Sequence, residues 1–296
     1  MQVKTGIAAA GVICAAAAAG GLARSYYERD HFVVETVELS SEKLRSPRTL
    51  VFLSDMHDKE FGKGNRRLLD AIRREQPDAV LISGDTMIAK KGKADLGASR
   101  RLLAGLTELC PVYYGNGNHE QRLQRETEIY GGLYQRFRDL LEQYGVVYLQ
   151  NQSADFGEDI RISGLDVEKP YYRDFFPEKM REDYISTRLG PADPERYQIL
   201  LVHSPLFRKT YGAWGADLAL AGHFHGGTIR LPVLGGVMTP QYQFFLPCCA
   251  GTFETNGRFM IVSRGLGTHS INIRFRNLPQ VVTVKLFPAK PGDGCA

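Results

Sequence analysis

Short apolar runs that close on polar clusters recur along the first half of the chain. Residues 50–53 lead through Ser54 into Asp55-Met56-His57. Residues 79–82 close on Ser83-Gly84-Asp85, and residues 112–114 on Gly115-Asn116-Gly117-Asn118-His119. Such runs, bounded by turn formers, read as buried strands. Between them the spacing predicts helices over 65–74, with Leu68, Leu69 and Ile72 in step and Pro77 beyond, and over 95–109, with Leu102, Leu103 and Leu106 on one face. A long, densely charged helix is expected over 120–144. Ahead of these, 32–34 is a short apolar run and 36–40 alternates like a half-buried strand. The second half changes character: 146–149, 160–165, 199–203, 218–223, 259–262 and 281–286 read as strands with only short helical stretches between. Residues 168–194, polar, aromatic and proline-bearing, read as a loop or short helix over the surface. Strand followed by helix, with polar groups at the strand exits, is an α/β pattern that gathers function at the carboxyl ends of strands. No composition break divides 45–288.

Composition adds mainly exclusions. At 296 residues the chain can bury a core without disulfide staples. A net charge of +4 with no long basic block argues against a nucleic-acid partner. Cys14, Cys110, Cys248, Cys249 and Cys295 show no C-x-x-C spacing, so neither a zinc knuckle nor a disulfide framework is indicated. No P-loop or G-x-G-x-x-G motif is present. Residues 6–23 carry no charge, between Lys4 and Arg24, and their length just meets that of a membrane span. A single N-terminal membrane anchor followed by a polar linker over 24–30 is the expectation, its orientation undetermined. A signal peptide cleaved near the small residues 20–23 and a buried helix are the alternatives.

The strand exits collect Asp55, His57, Asp85, Asn118, His119, His203, His223 and His225. Five of the chain's seven histidines are among them, His31 and His269 being the others. Carboxylates with imidazoles form the donor set for Mn, Fe, Zn or similar ions. Setting His119 aside, seven candidate ligands are too many for one ion and suit two. Asp85, alone on its strand end, is the natural shared carboxylate. His223 and His225 follow the apolar run 218–220; on a strand, side chains two apart leave the same face. Gly226 and Gly227 beyond them permit a sharp turn.

In order, Asp55-x-His57, Gly84-Asp85, Gly117-Asn118-His119-Glu120, His203 and Gly222-His223-x-His225 resemble the five signature blocks of the calcineurin-like metallophosphoesterase superfamily, over residues 48 to 286. The phrases 263–267 and 226–232, with the N-terminal span, look closest to its bacterial membrane-anchored branch. Phe224 stands where Thr or Ser is expected. The resemblance implies a four-layer β-sandwich flanked by helices. It implies two divalent ions (Mn, Fe, Zn or Mg), the first held by Asp55, His57 and His225, the second by Asn118, His203 and His223, with Asp85 bridging. A hydroxide bridging the ions would attack phosphorus, with His119 as the catalytic histidine or, alternatively, a residue that orients a ligand.

The expected division is an anchor or signal with linker over 1–30, a catalytic domain over 31–290 and a tail over 291–296. The expected reaction is hydrolysis of a phosphodiester or pyrophosphate in a lipid-linked or envelope-related small molecule, such as a UDP-diacylglucosamine-like compound. Phosphomonoesterase, nucleotide phosphodiesterase and a non-catalytic scaffold are the alternatives. Arg230 and Arg264 are candidate phosphate contacts, because guanidinium matches phosphate geometry. Tyr242, Phe244, Phe245 and Leu246 could line an apolar channel, touch a bilayer or pack in the core. Oligomeric state is not legible.

Overall fold

The computed structural model describes residues 2–173, 175–268 and 271–289. His269, Cys295 and the tail 291–296 lie outside the described residues. In chain order the helices are α1 (Gln2–Asp30), α2 (Arg66–Glu75), α3 (Gly97–Thr107), α4 (Asn118–Arg125), α5 (Thr127–Tyr130), α6 (Leu133–Gln143), α7 (Ser186–Leu189) and α8 (Arg208–Trp214). The strands are β1 (Val33–Ser41), β2 (Arg48–Leu53), β3 (Ala79–Ile82), β4 (Val112–Tyr114), β5 (Val147–Tyr148), β6 (Gln152–Phe156), β7 (Ile160–Leu165) and β8 (Tyr197–Val202). They continue with β9 (Leu218–Ala221), β10 (Arg230–Leu231), β11 (Gly235–Gly236), β12 (Gly251–Thr255), β13 (Arg258–Val262) and β14 (Gln280–Pro288).

Two six-stranded sheets form the body, ordered β1–β14–β2–β3–β4–β5 and β12–β13–β9–β8–β7–β6. Strands β2 to β5 run parallel in the first sheet, and β7, β8, β9 and β13 run parallel in the second. Because successive side chains alternate faces, each central strand feeds two cores. Leu50, Phe52, Leu81 and Tyr113 of the first sheet meet Ile162, Ile199, Leu201, Leu218 and Leu220 of the second. Val51, Leu53, Val80, Ile82 and Tyr114 face the other way, onto Leu68 and Ile72 of α2, Leu102 and Leu106 of α3, and Phe137 and Leu141 of α6. The outer face of the second sheet, with Leu200, Val202, Ala219 and Met260, is covered by Tyr171, Met180, Tyr184, Ile185 and Tyr211. The result is four layers, helix–sheet–sheet–helix. The segment 168–194 therefore does more than run over the surface, since it supplies apolar cover for the fourth layer.

The expected single helix over 120–144 is broken into α4, α5 and α6. Glu126 leaves helical geometry at φ −104, ψ 52, and Gly131 turns the chain at φ 56.

The N-terminal span is corrected. Among the described residues no helix is long and apolar enough to cross a membrane. The sequence of α1 is dominated by alanine and glycine, whose side chains give little apolar transfer energy, and its last turns carry Arg24, Glu28, Arg29 and Asp30. Nor is 24–30 a linker, because the helix continues to Asp30 and docks there. Glu28 is fully buried, accepting the amide N–H groups of Arg276 (3.0 Å) and Asn277 (2.8 Å). Ser25 Oγ accepts the amide of Arg274, and Asp30 pairs with Lys59 and Arg67. Glu28→Ala should strand two buried amides and lower the unfolding free energy by about 2–4 kcal/mol in urea denaturation. A loss below about 0.5 kcal/mol would mean that water takes over both amides.

Candidate metal centre

The two sheets present the carboxyl ends of β2, β3, β4, β8 and β9 to one another, and every strand-exit residue singled out above sits at those ends. The exits are stitched together by backbone. Asp55 N–H donates to Gly84 O (3.1 Å), His57 N–H to Asp85 O (3.0 Å) and Gly222 N–H to His203 O (3.1 Å). Asp55, His57, Asp85, His223 and His225 all hold left-handed φ, between 45 and 69°. Side chains rarely adopt that region, and when several do at one place the surrounding bonds must over-determine them. Glycine is required at Gly222, where a Cβ would overlap Ser54 Oγ and the Asp55 carboxylate, and at Gly117, where it would overlap the Asp85 carboxylate.

Glu120 fastens two of these exits. Its Oε2 accepts the amides of Asp85 (2.9 Å) and Gly117 (2.8 Å), while Oε1 accepts those of Thr86 (3.1 Å) and the hydroxyl of Tyr114 (2.6 Å). The sequence blocks include Glu120 without assigning it a role. Its signal is a glutamate three residues after the N-cap Gly117 of α4, where its carboxylate accepts the N-cap amide, the half of a capping box that needs no N-cap side chain. Gln241, Arg274 and Asn277, which also brace the centre, carry no such signal, because their partners are distant in sequence.

The side chains converge in three overlapping groups. Asp55, His57 and His225 lie together, as do Asp55, Asp85 and His203, and His57, Asp85 and His119, with donor atoms within 4.8 Å of one another in each group. His203 Nε2 is 3.1 Å from Asp85 Oδ2 and 3.7 Å from Asp55 Oδ1, and its Nδ1 donates to Ser83 O. His225 Nε2 is 3.4 Å from Asp55 Oδ1 and 3.0 Å from His57 Nε2, and its Nδ1 faces Gly267 O. A ring whose Nδ1–H is held by a carbonyl turns its Nε2 lone pair inward. His223 stands outside the three groups. Its ring packs 5.1 Å from His203, its Nε2 meets Gln241 Oε1, and its backbone N–H donates to the Asp55 carboxylate. Asn118 Oδ1 is buried with no hydrogen bond among the described residues. His119 N–H donates to Asp85 Oδ1, and its Nδ1 accepts Ala89 N–H at 2.7 Å.

Burial dominates the electrostatics. It pushes Asp55 up to about 6, against the pull of His203 and with the Asp85 charge adding to it. Burial acts on Asp85 in the same sense, but His203, His119 and His57 outweigh it and hold that carboxyl well below its usual range. His203, which burial alone would lower, is raised to about 10 by Asp85 and Asp55. Burial lowers the His119 ring below its ordinary value, and lifts Glu120 to about 7.

A cleft of about 370 Å³ opens over Asn118 and His223, also lined by Tyr172 and Gln241. Arg230 and Arg264 do not reach it. They line a separate cavity with Glu28 and Glu35, where Arg264 pairs with Glu35 at 2.7 Å and Arg230 donates to Gly226 O. The aromatic stretch is not core, since Tyr242, Phe244 and Phe245 are exposed, and Phe175 stacks on Tyr242 with ring centres 5.7 Å apart. Cys14, Cys110, Cys248 and Cys249 are free thiols.

Comparison with known proteins agrees with this geometry. The chain is 27% identical over 295 residues to the metallophosphoesterase YkuE of Bacillus subtilis, covering 95% of this chain and 94% of that one. It is 24% identical over 244 residues to the phosphodiesterase YaeI of Escherichia coli, covering 81% and 83%. A shorter match, 29% over 147 residues, covers 46% of this chain and 40% of the UDP-2,3-diacylglucosamine pyrophosphatase LpxG of Chlamydia trachomatis. The calcineurin-like phosphoesterase family model matches residues 48–227, more than half of the chain and all of the strand exits described above. Together with the candidate ligand clusters, that match makes the chain a calcineurin-like phosphoesterase, a hydrolase of a family that works with two divalent metal ions.

Proposed function

We propose that the chain hydrolyses a phosphodiester or pyrophosphate bond in a lipid-linked or envelope-related substrate. Asp55, His57 and His225 would hold one ion, Asn118, His203 and His223 the other, and Asp85 would bridge them. The observation that carries this reading is the burial of Asp55 and Asp85 within 4.8 Å of each other and of His203. Two carboxylates out of water need more compensating charge than one imidazolium supplies. The donors fit such ions: His203 and His225 turn Nε2 toward the carboxylates, and Asn118 offers a buried amide oxygen without a hydrogen bond among the described residues. Bound there, two divalent ions would lower the pKa of a water and offset charge on the phosphoryl oxygens.

The chain's own residues would do the rest. Because His119 Nδ1 accepts Ala89 N–H, the neutral ring keeps its proton on Nε2, 3.9 Å from Asp85 Oδ2. His119 would therefore serve as a hydrogen-bond donor to charge developing on the phosphoryl or leaving oxygen. Its role as donor is favoured over imidazolium acid catalysis, since a second ring proton would face the Ala89 amide. Glu120 and Ser54 would hold Asp85 and Asp55 at their positions. Gln241, anchored by Arg173 O, would orient His223. The exposed Phe175, Tyr242, Phe244 and Phe245 beside Gln241 favour a substrate with an apolar part. The substrate in the name of the Chlamydia trachomatis relative, an acylated nucleotide sugar, is of that kind.

Manganese-loaded protein should hydrolyse bis-p-nitrophenyl phosphate, and manganese should raise its melting temperature. Asp85→Asn should lose that thermal shift, lower the bound metal and cut diester turnover by about 10³-fold or more. Wild-type metal content and rate in that variant would sink the two-ion assignment. His119→Ala should keep its metal while kcat falls about 10²- to 10³-fold; loss of metal would instead make His119 a ligand. Replacing Phe244 and Phe245 by Ser should raise KM for an acylated diester by about tenfold. Equal KM for the variant and the parent would remove the lipid part of the reading.

A further inference from the structure

The cleft over Asn118 and His223 is strongly and asymmetrically charged. Lys90, Lys91, Arg122, Arg125 and Lys169 line it, against Glu126 as the one acidic lining residue. These cations come from three places in the fold: the loop after β3, two positions three apart on α4, and the loop after β7. Helical spacing puts Arg122 and Arg125 on one face. Arg122 donates to Ala89 O at 3.1 Å, while Ala89 N–H donates to His119. Ala89 thus links Arg122 of the cationic wall to His119, with one hydrogen bond to each. Lys90, Lys91 and Lys169 are exposed and form no ion pair among the described residues, and only Arg125 is paired, with Glu126. Five like charges around one cleft give it a strongly positive potential, which draws in and holds anions.

We infer that this wall is a second anion subsite, which holds a phosphoryl group adjacent to the one being cleaved. The substrate class is then a diphosphate ester, two phosphoryl groups in tandem, and not a simple phosphodiester. The inference rests on the reading above and narrows it. A single phosphodiester at the carboxylate–imidazole centre brings one negative charge and leaves the lysines facing no anion. A diphosphate ester brings a second charge one bridging oxygen away, and the cleft that Asn118 and His223 line is lined by Lys90, Lys91 and Lys169 as well. The exposed aromatic residues beside Gln241 leave room for whatever the ester carries beyond the diphosphate.

The test compares wild type with the Lys90→Glu/Lys91→Glu pair and with Lys169→Glu, all manganese-loaded. UDP-glucose is the two-phosphoryl probe and bis-p-nitrophenyl phosphate the one-phosphoryl probe. Since the three lysines are exposed, circular dichroism should show folded variants. The ratio of the UDP-glucose constant (KM, or Ki against the chromogenic diester) to the KM for bis-p-nitrophenyl phosphate should rise at least about tenfold in each variant. An unchanged ratio, whether both constants move together or neither moves, overturns the subsite, as does a wild type that does not bind UDP-glucose. Should wild type prove inactive on both probes, the hydrolytic reading fails separately. Titration calorimetry with UDP-glucose then still decides the subsite: weaker binding by the variants supports it, and equal binding overturns it.

Discussion

Asp55 and Asp85 set the terms for the surrounding structure. Two carboxylates lie within 4.8 Å of each other and out of water, where the effective penalty is several kcal/mol per charge. In the protein alone the compensation comes from His203, raised to about 10, while Asp55 is driven up to about 6. The same pair of groups that is poorly satisfied by one imidazolium is well suited to divalent cations. Holding it requires a rigid frame, and the frame is backbone. Five left-handed residues, at the exits of β2, β3 and β9, cost of order 1–3 kcal/mol each in general. They persist because amide bonds between exits, the four acceptor bonds of Glu120 and the close fit at Gly117 and Gly222 leave them no alternative.

The frame extends to the N-terminal helix. Glu28 holds the amides of Arg276 and Asn277, and Asn277 Nδ2 donates in turn to His225 O at 2.7 Å and Thr228 O at 3.1 Å. Arg274, which is 1% exposed, spends its guanidinium on the carbonyls of Arg264, Gly265, Gly267 and Asn277. Burial pulls it down to about 9. Gly267 O also receives His225 Nδ1. The last turn of α1 is therefore two hydrogen bonds from a candidate ligand, and its loosening would reach the centre through the loop 225–228.

What the sequence made legible follows its physics. Central strands bury both faces, so they show as continuous apolar runs, and their exits stand out as the first polar residues after each run. Edge strands β6 and β12 were not read, because half-exposed segments such as Gln-Ser-Ala-Asp-Phe and Gly-Thr-Phe-Glu-Thr carry no strong period. The break of the charged segment into α4, α5 and α6 depends on backbone angles at Glu126 and Gly131 that a charge pattern does not encode. For Arg230 and Arg264 the sequence offers only side-chain chemistry, which says what a guanidinium can bind and not which cavity it faces. Glu35 and Gly226, their actual partners, are respectively distant in sequence and a backbone carbonyl. The uncharged stretch at the N-terminus has the length of a span, whereas crossing a bilayer depends on how apolar the residues are.

His223 and His225 show where a periodicity argument stops. The same-face rule for residues two apart holds only inside a strand, and β9 ends at Ala221. Beyond it His223 and His225 sit at φ 69 and 48, with Phe224 between them at φ −86 and fully buried. The chain therefore turns between the two rings instead of extending. His225 stacks on His57 at 4.9 Å, and His223 packs against His203 and Tyr172 at 5.1 and 5.0 Å. Phe224, the residue that departs from the expected Thr or Ser, is the apolar pin of this turn: burying it fixes which side each neighbouring imidazole takes. One tripeptide thus sends its two imidazoles to different neighbours, His57 and His203, because its middle residue is sunk in the core.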